Sequence, residues 1–119
     1  MSEVAQSDAS PLWPPTWTRA TLPLLALTSL GQASGHGYDL IKRLQQSGFS
    51  DVKGPNLYPV LERLEESGLL SSAWVAGVEG PGRRVYEVTA AGKQHLKVLN
   101  QQWQLFSNTV TNHLPGGQQ

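Results

Sequence analysis

Apolar residues recur along this chain in three short helical stretches, then in two strand-like runs, then in one long helical stretch. Leu22, Leu25, Ala26, Leu27 and Leu30 fit a short, largely buried helix, with Thr21 as its cap, Pro23 in the tolerant first turn and Gly31 at its end. After Gly35-His36-Gly37, the residues Tyr38, Leu40, Ile41 and Leu44 return at helical spacing and predict a second helix closed near Gly48. Lys53-Gly54-Pro55 opens a third, in which Leu57, Val60, Leu61 and Leu64 form one apolar stripe before Gly68.

The pattern then changes period. β-forming residues fill Leu70 to Val75 and Val85 to Val88, with Gly77, Gly80, Pro81 and Gly82 between them, which predicts a β-hairpin with a loose glycine-rich tip. Thr89 caps a long last helix in which Leu96, Leu99, Trp103, Phe106 and Val110 are spaced as a heptad seam. Three short helices and a hairpin already close on themselves. The seam is therefore expected to pair with a second copy, while Val98 and Leu105 hold the helix to its own domain.

The predicted fold is mainly α with a β-hairpin (α+β): a winged helix-turn-helix over residues 21–89 followed by a C-terminal dimerisation helix over 90–114. A mobile N-terminal arm (1–20), with Trp13 and Trp17 among Pro11, Pro14 and Pro15, and a disordered tail (115–119) bracket it.

Composition narrows the chemistry. The 119 residues suit one domain, and the absence of cysteine removes disulfides, zinc-thiolate sites and thiol nucleophiles. His36, His95 and His113 match no metal-ligand spacing, so neither metal nor cofactor is expected. The apolar run from Leu22 to Leu30 is too short to span a membrane. It also lacks the basic flank of a secretory signal, since Met1 to Thr18 carries Glu3 and Asp8 and no base. A soluble cytoplasmic protein is the expectation. Nine bases balance nine acids overall, but without Met1 to Thr18 the balance is nine against seven, so the folded part is weakly basic.

That local excess falls where a winged helix-turn-helix meets double-stranded DNA. Lys53, Asn56, Tyr58 and Arg63 surround or lie on the third helix, and Arg83-Arg84 stand behind Gly80-Pro81-Gly82 at the hairpin tip. Lysine and arginine neutralise phosphate, Asn56 suits a bidentate pair with adenine, and Tyr58 suits a phosphate or a thymine methyl.

Three stretches resemble the signatures of PadR-type transcriptional regulators. They are Gly35-His36-Gly37-Tyr38-Asp39-Leu40, then Leu57-Tyr58-Pro59-Val60-Leu61-Glu62-Arg63-Leu64-Glu65 with Gly68-Leu69, then Gly80-Pro81-Gly82-Arg83-Arg84-Val85-Tyr86 leading to Thr89 and Gly92. The resemblance spans roughly Leu22 to Asn112 and looks like the short-tailed subgroup. It implies a ligand-responsive repressor that binds operator DNA as a homodimer, joined through the C-terminal helix, with no metal and no catalysis. In multidrug-binding members of that subgroup a tryptophan on this helix stacks flat aromatic compounds at the dimer interface, and Trp103 occupies the comparable place.

The chain departs from the family at Asn56, where Thr or Ser is frequent, at Glu62, where Lys is frequent, and at Pro23. No acid follows Glu87, so a small aromatic effector beside Trp103 is expected to be neutral or weakly anionic. His36 and Tyr38 are expected to fill the turn into the second helix, and Trp74 to pack on the hairpin. Zero net charge and Glu62 leave open a rival reading, a winged-helix protein-interaction adaptor without DNA binding.

Overall fold

Residues 12–116 are described by a computed structural model, and among them the chain forms four helices and a three-stranded antiparallel sheet. Helix α1 runs Pro15–Gln32, six residues ahead of the expected Thr21 boundary. Pro14 is extended and Pro15 supplies a preset φ where its missing N–H costs nothing, so the proline pair starts the helix instead of extending an arm. Met1 to Pro11, most of the expected arm, lie outside the described residues. Pro23 consequently sits inside α1, and Thr21 caps nothing: its hydroxyl donates back to the Trp17 and Thr18 carbonyls.

A two-residue strand β1, Gly35–His36, leads into α2, Gly37–Gln46. His36 and Asp39 cap α2 reciprocally: His36 Nδ1 accepts from the Asp39 N–H at 3.2 Å and the Asp39 carboxylate accepts from the His36 N–H at 3.3 Å. Helix α3 follows at Gly54–Glu66, then β2 at Leu70–Val75, β3 at Arg83–Val88 and α4 at Ala90–His113. Strand order is β1-β3-β2, with Leu70 opposite Val88 and Val75 opposite Arg83.

The apolar stripes meet as the periodicity requires. Leu22 and Leu27 from α1, Leu40 from α2, Val52 from the turn before α3, Leu57 and Leu61 from α3, and Leu70 from β2 are fully buried together. Burying each such leucine contributes about 2 kcal/mol, which offsets the helix bond that Pro23 cannot make.

Helix α4 is set by Thr89 and Gly92. Thr89 Oγ1 accepts the Gly92 N–H at 2.9 Å and donates to the Gly68 carbonyl at 2.7 Å, while Gly92 lies so close to the Leu69 carbonyl that no side chain fits between them. This contact turns Leu96 and Leu99 onto the domain's own core. Val98 and Leu105, expected to hold the helix, are instead 42% and 70% exposed. A heptad fixes which residues share a stripe, but the rotation of the helix comes from its anchor. Beyond Leu99 the seam continues as Trp103, Phe106 and Val110, all exposed on the single chain. Pro115 and Gly116 turn the chain after α4, and 117–119 lie outside the described residues.

Candidate nucleic-acid interface

The N-terminus of α3 is framed by its own side chains. Asn56 Oδ1 accepts from the Lys53 N–H at 2.9 Å and Asn56 Nδ2 donates to the Asp51 carbonyl at 3.0 Å. Both ends of the amide that was expected to read adenine are thus committed to the backbone of the preceding turn. Lys53 stands exposed at this cap. With Leu57, Val60, Leu61 and Leu64 buried, helical spacing turns Pro55, Pro59, Glu62 and Glu66 directly outward, with Tyr58 and Arg63 on opposite flanks. The outward ridge of α3 carries two carboxylates and no base.

Arg83 and Arg84 are not at the hairpin tip. They are the first two residues of β3, opposite Val75 and Trp74, and the connecting loop 76–82 contains Glu79 and no cation. As neighbours on a strand they leave the backbone on opposite faces, yet both side chains border one cleft beside His36 and Tyr58. Arg83 Nη1 lies 2.6 Å from His36 Nε2. Arg84 donates to Ser72 Oγ at 2.9 Å, and Ser72 donates in turn to the Glu65 carboxylate, which ties β3 through β2 to α3. Trp74 braces the loop, its indole packed so closely on Gly82 that a side chain there would collide with it.

These elements enclose a cleft of about 390 Å³ lined by His36, Gly37, Tyr38, Tyr58, Arg83, Arg84 and Tyr86. Tyr58 reaches it because Gly37 has no side chain: a Cβ there would overlap the Tyr58 ring. Tyr38 stacks beside His36, with ring centroids 6.4 Å apart, and carries the Lys42 ammonium 5.3 Å from its ring centre. Burial pushes the Tyr86 hydroxyl above the ordinary tyrosine range; the Glu65 carboxylate adds to this and the Arg84 guanidinium opposes it.

Three expected contact residues, Tyr58, Arg83 and Arg84, are therefore brought together, while Lys53, Asn56 and Arg63 lie outside the cleft. His36 and Tyr38, assigned from sequence to local packing, line it. The His-x-x-Asp spacing was the signal for the cap, but nothing local pointed to Arg83, which is 47 residues away.

A second, apolar groove of about 320 Å³ lies between α1 and α4, with Trp13, Trp17, Leu24, Leu25, Phe49 and Trp103 on its walls. Trp13 meets Phe49 edge-on at 5.7 Å. Its indole N–H donates to Thr18 Oγ1 at 2.7 Å, and the Thr18 hydroxyl donates to the Asp51 carboxylate at 3.1 Å. The Asp51 carbonyl is the one held by Asn56, so a continuous set of hydrogen bonds runs from the groove to the start of α3. Among the described residues no group of three His, Asp or Glu side chains is placed to hold a metal ion, and no helix is long and apolar enough to cross a membrane.

Residues 26–98 match the model of the transcriptional regulator PadR-like family. Transcriptional regulator Rv3488 of Mycobacterium tuberculosis is 40% identical over 78 residues, which cover 66% of this chain and 71% of that protein. Among solved structures, a PadR family transcriptional regulator from Eggerthella lenta superposes with a TM-score of 0.77 at 33% identity, covering 85% of this chain and 88% of the other. A PadR-like transcriptional regulator from Bacillus cereus gives 0.74 at 31% identity, covering 85% and 98%.

Proposed function

Since the chain belongs to the PadR-like family of transcriptional regulators, we propose that it is a ligand-responsive repressor that binds two-fold symmetric operator DNA as a homodimer. The observation that carries this reading is the cleft in which Tyr58 of α3 and Arg83 and Arg84 of the wing converge. Arg83 and Arg84 take backbone phosphates, Lys53 takes another at the head of α3, and Tyr58 and Arg63 flank the helix in the major groove. Asn56 shapes the helix start and touches bases only at the loss of two internal hydrogen bonds.

Dimerisation is supported by the outer half of α4, where Trp103, Phe106 and Val110 form one exposed apolar stripe. Leu96 and Leu99 contribute their remaining exposed edges. The effector is a flat aromatic molecule, neutral or weakly anionic, that stacks on Trp103. The groove beside it offers indole faces and aliphatic walls, and the hydrogen bonds from Trp13 through Thr18 and Asp51 to Asn56 supply a physical route to α3.

Salt dependence tests the DNA reading. If Lys53, Arg83 and Arg84 each meet one phosphate, a dimer makes six contacts and the logarithm of affinity falls against log salt with a slope of about −5. Arg83→Ala with Arg84→Ala should remove four of the six. The effector reading is tested by tryptophan fluorescence in a Trp74→Phe background. Micromolar quenching by phenolic acids supports it, and a response to cationic dyes alone opposes it.

The acidic ridge of Glu62 and Glu66 favours one rival, a winged-helix adaptor that binds a protein partner instead of DNA. Failure of the chain to retain any genomic DNA fragment at low salt would select it.

A further inference from the structure

His36 is asked for two lone pairs and, as a neutral imidazole, has one. Its Nδ1 accepts the Asp39 N–H at the head of α2, and its Nε2 faces Arg83 Nη1 at 2.6 Å and the Asp39 carboxylate at 3.1 Å. With the proton on Nε2 the ring caps α2 through Nδ1, but Arg83 then meets a donor. With the proton on Nδ1 the ring accepts from Arg83, and the cap bond is lost. Protonation removes both lone pairs and leaves the ion pair with Asp39.

We propose that His36 is a positioning residue that tethers Arg83 of the wing while neutral and releases it to a DNA phosphate on taking up a proton, so that operator binding and proton uptake are coupled. This rests on the DNA-binding reading above. Histidine is the side chain whose charge changes between about pH 5 and 8. Two charged groups touch His36: the Asp39 carboxylate on α2 and the Arg83 guanidinium on β3, which a phosphate can draw away; Arg84 lies in the same cleft with Ser72 and Glu65 behind it. Arg43 of α2 reaches past Gly35 towards Asp39 and is held by the Ala33 and Ser34 carbonyls. Tyr38, Tyr58 and Tyr86 supply the remaining walls, and Lys42 lies over the Tyr38 ring. A phosphate entering this cleft removes the cation that opposes protonation and adds an anion that favours it.

The test uses the full chain and a duplex that it selects from a random-sequence library, with affinity measured at constant ionic strength. Between about pH 8 and pH 6 the wild-type affinity should rise at least about threefold per subunit. Asn is a good N-cap residue, so His36→Asn keeps the α2 cap while removing the titration and the tether. Its pH profile should be flat and should lie above the wild type at the alkaline end, whereas loss of a purely structural histidine would weaken binding at every pH. His95→Asn and His113→Asn should keep the wild-type slope. Imidazole nitrogen chemical shifts should show His36 neutral in the free protein near the alkaline end and protonated in the complex.

DNA binding with the same pH profile in wild type and His36→Asn, or a neutral His36 in the complex, overturns the coupling and leaves the DNA reading intact. If no duplex is selected, the DNA reading fails and the coupling falls with it.

Discussion

Along the edge formed by α2, α3 and β3, polar and charged side chains are held within the chain: Arg83 by His36, Arg84 by Ser72, which in turn donates to Glu65, and Asn56 by the backbone of the preceding turn. Along α1 and the outer half of α4 the reverse holds. Trp17, Trp103 and Phe106 present open aromatic surface, and Phe106 is 62% exposed. The first region is arranged before any partner arrives, so its affinity is set by which internal bonds a ligand can replace. The second has apolar area left to bury, and gains from whatever covers it. The Trp13–Thr18–Asp51–Asn56 connection joins the two.

Breaking the anchor common to both regions should have the largest effect. Gly92→Ala forces a methyl group against the Leu69 carbonyl and should cost about 3 kcal/mol in chemical denaturation, because α4 must shift as a body. Unchanged stability would mean that α4 is not fixed by this contact.

The aromatic region can be tested alone. Trp103→Ala with Phe106→Ala should weaken dimerisation by about 2 kcal/mol in sedimentation equilibrium while leaving the unfolding of the single chain nearly unchanged, since both rings are exposed on it. A large loss of monomer stability would place these rings in the core instead.

Cutting the connection is a smaller change. Thr18→Val removes a buried hydroxyl that accepts from Trp13 and donates to Asp51, and should cost about 1–2 kcal/mol. It should also reduce the effect of an aromatic ligand on DNA affinity. Full retention of that effect would show that coupling takes another route.

The smallest effect concerns Tyr86. Its hydroxyl titrates above the usual range in the folded chain, chiefly through burial. The neutral form is thus favoured by folding, and that contribution is present below about pH 10 and lost as pH rises through the higher folded value. Tyr86→Phe should flatten the alkaline fall in thermal stability, and an unaltered fall would assign it to other groups.

Much of this architecture was legible in the sequence. The boundaries of α2, α3 and β2 and the Thr89 cap follow from local spacing and from the glycines and prolines that end each run, whereas β3 begins at Arg83, two residues before the expected Val85, and the short β1 has no local signal. The start of α1 is local too: Pro15 at the first helical position begins the helix inside the stretch expected as a mobile arm. The site was legible in residue type and less so in geometry. Tyr58, Arg83 and Arg84 do meet in one cleft, whereas Asn56 is occupied by its own backbone and the two arginines lie on the strand, not at the tip.

By itself the sequence determined which residues share a helix face or a strand, because those periods are properties of a few consecutive residues. It determined the heptad stripe of α4 but not the direction in which that stripe points. Tertiary structure decided that direction through Gly92 against Leu69, and it brought His36 to Arg83 across 47 residues of chain. It also divided the seam, giving Leu96 and Leu99 to the core and leaving Trp103, Phe106 and Val110 exposed. Periodicity is a one-dimensional property, while the partner a side chain meets depends on packing between segments distant in the chain.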